Sequence, residues 1–190
     1  MLTPDVRDHG AGREARMAEV FLRRLSRWQA EQQREDVASV YAACHGRDRA
    51  EFLKRFEREV QERDFDMVVA DSAGGLVGCL YGYRAAPEAP AYAGFVAALH
   101  AAAPEAAAGA AAGRLFLLAE LMVLPGHRRR GTATRLRDLL LSRHRTDVVV
   151  TTLAAPGDGT GREVLRAWAC TRLGEFAAPP GEAWLHPAGR

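Results

Sequence analysis

Lysine is almost missing from this chain: of its 26 basic residues only Lys54 is a lysine. A scattered arginine excess marks composition more than function. The formal net charge of +2 argues neither for nor against a nucleic-acid partner. Cysteine is scarce too. Cys44, Cys79 and Cys170 are too few and odd in number for a disulfide framework, and their spacing is not that of a metal site. Reduced, mostly buried thiols are the expectation. No apolar run approaches the roughly 18–20 residues of a membrane span. The opening MLTPDVRDHGAGREARM has no apolar core of the signal-peptide kind. A cytoplasmic protein with no membrane partner is therefore expected, and no nucleic-acid partner is assigned.

Several chemistries drop out on the same grounds. No Gly-Lys-Ser/Thr stands at Walker-loop spacing, and no Gly-x-Gly-x-x-Gly marks a dinucleotide fold. His144 and His186 lack ligating neighbours at useful spacing, so no metal is expected. Cys44 and His45 are adjacent in sequence, which is poor geometry for a nucleophile and its base.

What remains is a chain of 190 residues, 48% hydrophobic and 26% charged, an ordinary balance for one globular domain. Residues 1–18 read as a disordered polar arm and 19–190 as the domain. The stretch 20–29 fits a first strand, and a helix fits almost equally. Val37, Val40, Tyr41 and Cys44 recur at helical spacing within 30–44. Asp48 with Glu51 resembles a capping box opening a helix that carries Phe52, Leu53, Phe56 and Val60. Residues 65–84 read as a hairpin turning at 71–75.

The Ala-, Pro- and Gly-rich stretch 85–113 reads as an insertion. It carries one apolar patch, Tyr92, Phe95, Val96 and Leu99, able to dock as a short helix. A mobile lid over the acceptor, a homodimer contact and a plain loop are its three readings. Beyond it the pattern sharpens: an apolar strand from 115 with one acid, Glu120; a helix over 131–144; a β-branched strand at 147–153; and a helix over 161–174 with Gly174 as its C-cap. Short strands are expected near Phe176 and 183–186. Strand–helix–strand–helix implies a parallel pair joined by a crossover.

Residues 121–141, LMVLPGHRRRGTATRLRDLLL, place the densest positive charge where that strand gives way to its helix. Pro125 stops the strand, and Gly131 opens the helix without a side chain. The first turn of a helix offers unpaired N–H groups and the positive end of its dipole. Small residues at 132–134 keep the approach open, and Arg128, Arg129 and Arg130 raise the local potential. A phosphate or pyrophosphate site is the physical expectation. A solvated corner, a plain turn and a contact to a nucleic-acid backbone compete for the same residues.

Arg128-x-x-Gly131-x-Ala133, following a strand that ends Met122-Val123-Leu124-Pro125, resembles the acyl-CoA motif Arg/Gln-x-x-Gly-x-Gly/Ala of the GNAT N-acyltransferase superfamily. The order of elements resembles that family over most of the chain. The resemblance implies an α/β (α+β) fold: a mixed, mostly antiparallel sheet of about six to seven strands flanked by helices, with one splayed parallel pair. It implies acetyl-CoA as co-substrate and an amine of a small molecule or peptide as acceptor. Met122, Val123 and Leu124 would pair with pantetheine, and Arg128, Arg129, Arg130, Gly131, Thr132, Ala133 and Thr134 would cradle the pyrophosphate.

Acetyl transfer to an amine asks for a proton acceptor and for donors to the developing oxyanion. Glu120 has three readings: base or ammonium anchor, structural carboxylate paired with an arginine, or solvated strand position. Many family members carry a tyrosine before the closing glycine of the last helix, and no tyrosine follows Tyr92 here. Cys170 stands in its place, as a thiol acid or as a small buried residue. The alternative to an enzyme is a GNAT-like module that holds acyl-CoA without turnover.

Overall fold

A computed structural model describes residues 19–154, 159–177 and 180–188; the arm expected over 1–18 lies outside them. Residues 20–29 supply both of the elements they suggested, strand β1 (Phe21–Leu25) and helix α1 (Arg27–Gln32). A reciprocal cap separates them. The Gln29 amide donates to Ser26 Oγ at 3.3 Å, and the Ser26 amide donates to Gln29 Oε1 at 2.9 Å. Helices α2 (Arg34–His45) and α3 (Arg49–Glu59) follow. Gly46 ends α2 at a left-handed φ of 62°, and Asp48 caps α3 by accepting from the Ala50 amide at 2.8 Å. The hairpin is β2 (Asp66–Ser72) and β3 (Gly75–Arg84).

The stretch 85–113 folds into helices α4 (Ala93–Ala102) and α5 (Pro104–Gly109). The short apolar helix is as expected. Phe95 and Leu99 are buried, as are Ala107 and Ala110, in one cluster with Tyr83, Leu115, Leu117, Val150 and Ala183 of the sheet. Phe95 and Leu99 are thus spent on the protein's own core, and the half-buried Tyr92 and Val96 pack against the same cluster.

Strand β4 (Leu115–Val123), helix α6 (Thr132–Leu141), strand β5 (Val148–Ala154), helix α7 (Thr160–Ala167) and strands β6 (Thr171–Ala177) and β7 (Pro180–Leu185) complete the chain. Among the described residues seven strands form one sheet, ordered β1-β2-β3-β4-β5-β7-β6, and only β4–β5 is parallel. The helices α1–α5 cover one face and α6–α7 the other. The mixed, mostly antiparallel fold is as expected.

The helix expected over 161–174 is shorter. It ends at Ala167 because Ala169 turns left-handed, with φ 56°. The Cys170 amide donates back to the Leu165 carbonyl at 2.9 Å and the Ala169 amide to that of Arg166 at 2.9 Å, a Schellman closure. Gly174 is therefore no helix cap. It lies inside β6, beside a register shift against β7.

A polar clip holds the closed end of the sheet. His144 contacts Asp66 at 3.1 Å through Nε2 and Asp147 at 2.9 Å through Nδ1, with its ring stacked on Phe116. Arg24 of β1 also binds Asp66, and Arg84 of β3 binds Asp147 at 3.0 Å. Burial pushes both carboxyls up. The hydrogen bonds from His144 and Arg24 to Asp66, and from Arg84 and His144 to Asp147, outweigh it and hold both below their ordinary value. Depressed folded values mean that this contribution is complete above the unfolded aspartate value of about 3.9 and is lost as pH falls through the folded values. Acid should therefore destabilise the wild type more steeply than Asp66→Asn. Asp66→Ala, which takes from the half-buried Arg24 and the buried His144 the carboxylate they share, should cost about 3–5 kcal/mol near neutral pH. Urea unfolding at pH 7 and at low pH measures both; equal acid slopes in wild type and Asp66→Asn would remove the clip from the account.

Candidate functional site

The parallel ladder between β4 and β5 is short. It pairs Leu115–Leu118 with Val148–Thr151 and stops. Beyond it β4 stays with β3, from Glu120 opposite Tyr81 to Val123 opposite Gly78, while β5 follows β7 from Thr152 to Ala154. The two strands part, and from Ala119 and Thr152 onward each has a backbone edge no longer shared with the other. An extended polar chain can pair with such an edge as an added strand does.

A bulge starts the parting. Gly82 lies opposite Leu118 and Tyr81 opposite Glu120, so Ala119 is the extra residue. A Cβ at Gly82 would sit 2.4 Å from the Leu117 carbonyl, so only glycine lets β3 come this close. The extra residue also resets the alternation of side chains. Ala119 packs on the α1–α5 face, Glu120 reaches α2 and α3 on that same face, and Leu121 turns to the α6–α7 face.

At the end of β4, Met122 is buried under α2 and α3, and Val123 packs toward α6. The Leu124 amide donates to the Val77 carbonyl at 2.8 Å, extending the β3 ladder by one residue. Arg128 folds back. Its Nε donates to the Val123 carbonyl at 2.9 Å and its Nη2 to the Cys44 carbonyl at 3.5 Å. The side chain thus straps the loop to the end of α2. Arg129, at φ 59°, and Arg130 are exposed. Gly131 opens α6 at φ 75°, and a Cβ there would meet nothing within 4 Å. The glycine serves the left-handed turn, and the space above it is open. Thr132 is buried, and Ala133 packs among the α6 and α7 side chains.

Thr134 Oγ1 accepts from Trp168 Nε1 at 3.2 Å, and the Arg137 guanidinium lies 4.9 Å from the indole centre. Trp168 and Cys170 join Leu165, Trp184, Leu121 and Leu153 in one cluster, so an apolar floor lies between the parted strands. Cys170 follows the helix end and does not stand within the helix. It packs on Leu165, the side-chain contact that accompanies a Schellman closure. Burial pushes its thiol up to about 11, only partly opposed by Arg137.

On the other side of β4 lies a charged row. Glu120 Oε2 accepts from Arg55 Nη2 at 2.6 Å, and its Oε1 lies 3.2 Å from His45 Nε2. Glu59 sits on the far side of Arg55 and accepts the buried Tyr81 hydroxyl at 2.6 Å. Burial pushes the Glu59 carboxyl up, and Glu120 adds to this against the pull of Tyr81 and Arg55. Burial also opposes the charge of Arg55, but Tyr81, Glu120 and Glu59 outweigh it and its pKa rises. Of the residues gathered here the sequence points to Glu120 alone. Arg55 and Glu59 offer only an i,i+4 pairing on a helix, and His45 is separated from Glu120 by 75 positions. Among the described residues no group of three His, Cys, Asp or Glu is placed to hold a metal ion. No described helix is long and apolar enough to cross a membrane.

Neither the protein-family models nor the curated proteins give a match to this sequence. Solved structures do match in shape. A GNAT-family acetyltransferase from Bacillus cereus superposes with a TM-score of 0.60 at 14% identity, over 90% of this chain and 99% of that one. An acetyltransferase from Thermus thermophilus gives 0.59 at 10% identity, over 88% and 96%. The aminoglycoside N-acetyltransferase AAC(6')-Iy, in complex with CoA, gives 0.53 at 14% identity, over 80% and 88%. The chain has the fold of the GNAT acetyltransferases.

Proposed function

We propose that this protein transfers the acetyl group of acetyl-CoA to an amine of a small molecule or peptide. One observation carries the reading: the β4–β5 ladder stops at Leu118 directly before a strand edge that leads into the open helix start at Gly131. A strand edge that β5 has left suits the amide-bearing pantetheine arm. A helix N-terminus followed by small residues suits a pyrophosphate. In this reading Met122, Val123 and Leu124 offer backbone to the arm. Arg128, Arg129, Arg130 and Gly131 through Thr134 form the anion cradle. The strap from Arg128 to Val123 leaves Arg129, Arg130 and the first-turn amides as its cationic lining.

Glu120 lies across β4 from that cradle and serves the acceptor, as ammonium anchor or in proton transfer. The departing thiolate takes its proton from water or from Cys170. We place the activity in the cytoplasm, without nucleic-acid or membrane partners. A second reading, a module that holds acyl-CoA without turnover, is favoured by Cys170 alone, whose packing on Leu165 gives it a structural task.

Two outcomes test this. With acetyl-CoA and a panel of amines, an enzyme releases free thiol only when an amine is present; a binding module shows calorimetric affinity and no release. Gly131→Glu should weaken CoA binding by about tenfold or more, since it adds an anion at the cradle and forces a left-handed side chain that costs roughly 1–2 kcal/mol. Gly131→Ala carries the backbone cost alone. Calorimetry showing wild-type affinity in a folded Gly131→Glu variant would dismiss the cradle.

A further inference from the structure

Resting on the acetyl-transfer reading, we propose that His45, not Glu120, takes the proton of the acceptor amine, and that Glu120 is the residue that positions it. Both Glu120 oxygens are engaged, one by Arg55 and one by His45, and the side chain is only 12% exposed. A carboxylate held at 2.6 Å by a guanidinium is a poor base, and it cannot turn to an ammonium without breaking that bond. His45 is 37% exposed at its side chain.

The contact settles which nitrogen is available. An ionised carboxylate only accepts hydrogen bonds, so Nε2 must carry the proton toward Glu120. Nδ1, which has no hydrogen-bond partner among the described residues, then holds the lone pair. The ring is fixed on both sides. It is the last residue of α2, packed 4.8 Å from the Tyr41 ring, and Arg128 ties the preceding carbonyl to the loop that opens the cradle. The base therefore sits where the acceptor side of β4 meets the anion site. An imidazolium formed at a helix C-terminus is also favoured by the dipole.

The groups facing His45 are Glu120 from β4, Arg55 and Glu59 behind it on α3, Arg128 from the loop, and Tyr41 and Cys44 on α2 itself. In the step, the amine nitrogen attacks the thioester carbon, the C–N bond forms and the C–S bond breaks. Nδ1 accepts the proton the nitrogen gives up, Glu120 stabilises the imidazolium, and the proton passes to solvent, from which the thiolate is neutralised. The arrangement is a histidine oriented by a carboxylate through its other nitrogen.

Three variants test this at saturating acetyl-CoA. His45→Gln should lower kcat by about 10²–10⁴-fold with CoA affinity unchanged, and free imidazole should restore part of the rate to His45→Ala. Wild-type kcat/KM for the amine should rise along one ascending limb with pH. Glu120→Gln should keep that limb while lowering kcat, because the ring loses the partner that orients it. Nitrogen-15 NMR should show His45 protonated at Nε2. A limb abolished by Glu120→Gln and intact in His45→Gln makes Glu120 the base and overturns this proposal alone, as does an Nδ1-protonated ring. Absence of thiol release with every amine, despite CoA binding, overturns the transfer reading and this proposal with it.

Discussion

The whole arrangement depends on one unpaired residue in β4. A regular strand would carry the parallel ladder to its end and close the sheet. Ala119 spends one residue without a partner, turns Glu120 to the face it would otherwise miss, and releases the last residues of β4 from β5. Gly82 makes the bulge possible by letting β3 come within contact of the Leu117 carbonyl. The opening, the charged row on one side of it and the helix start at its end are thus consequences of a single local irregularity.

Each end of the parting is secured by buried or half-buried polar rows rather than by apolar packing alone. At the closed end Asp66, His144 and Asp147 link β2, the end of α6 and the start of β5, with arginines from β1 and β3 completing the set. At the open end Glu59, Arg55, Glu120 and His45 link α3, β4 and α2. Such rows contribute little net energy when whole and cost much when broken. They fix geometry, which the proposed transfer would ask of its scaffold.

Local pattern made the central part of the fold readable. The apolar run from 115, the glycine at 131 and the β-branched strand after it give strand, helix and strand without tertiary help. Glu120 stood out because an acid is expensive in an apolar strand. Its partners were hidden because Arg55 and His45 are 65 and 75 positions away. The end of α7 was misplaced because an alanine, not a glycine, takes the left-handed turn, and Gly174 drew the boundary seven residues too far. The stretch 85–113 reads as an insertion with one short helix; its second helix, α5, stays hidden because an alanine-rich segment shows no polar face.

The shortness of the β4–β5 ladder has a mechanical meaning. Four paired positions are the spine along which β1–β4 and β5–β7–β6 meet as two leaves of one sheet. On one face α6 joins the leaves through Leu136, Leu140 and Val149; on the other, Phe95 and Leu99 lie against Leu117 of one leaf and Val150 and Ala183 of the other. The segment 85–113 is therefore a clasp. How far the leaves stand apart is set in part by Phe95 and Leu99, which grip both of them from a segment that belongs to neither leaf.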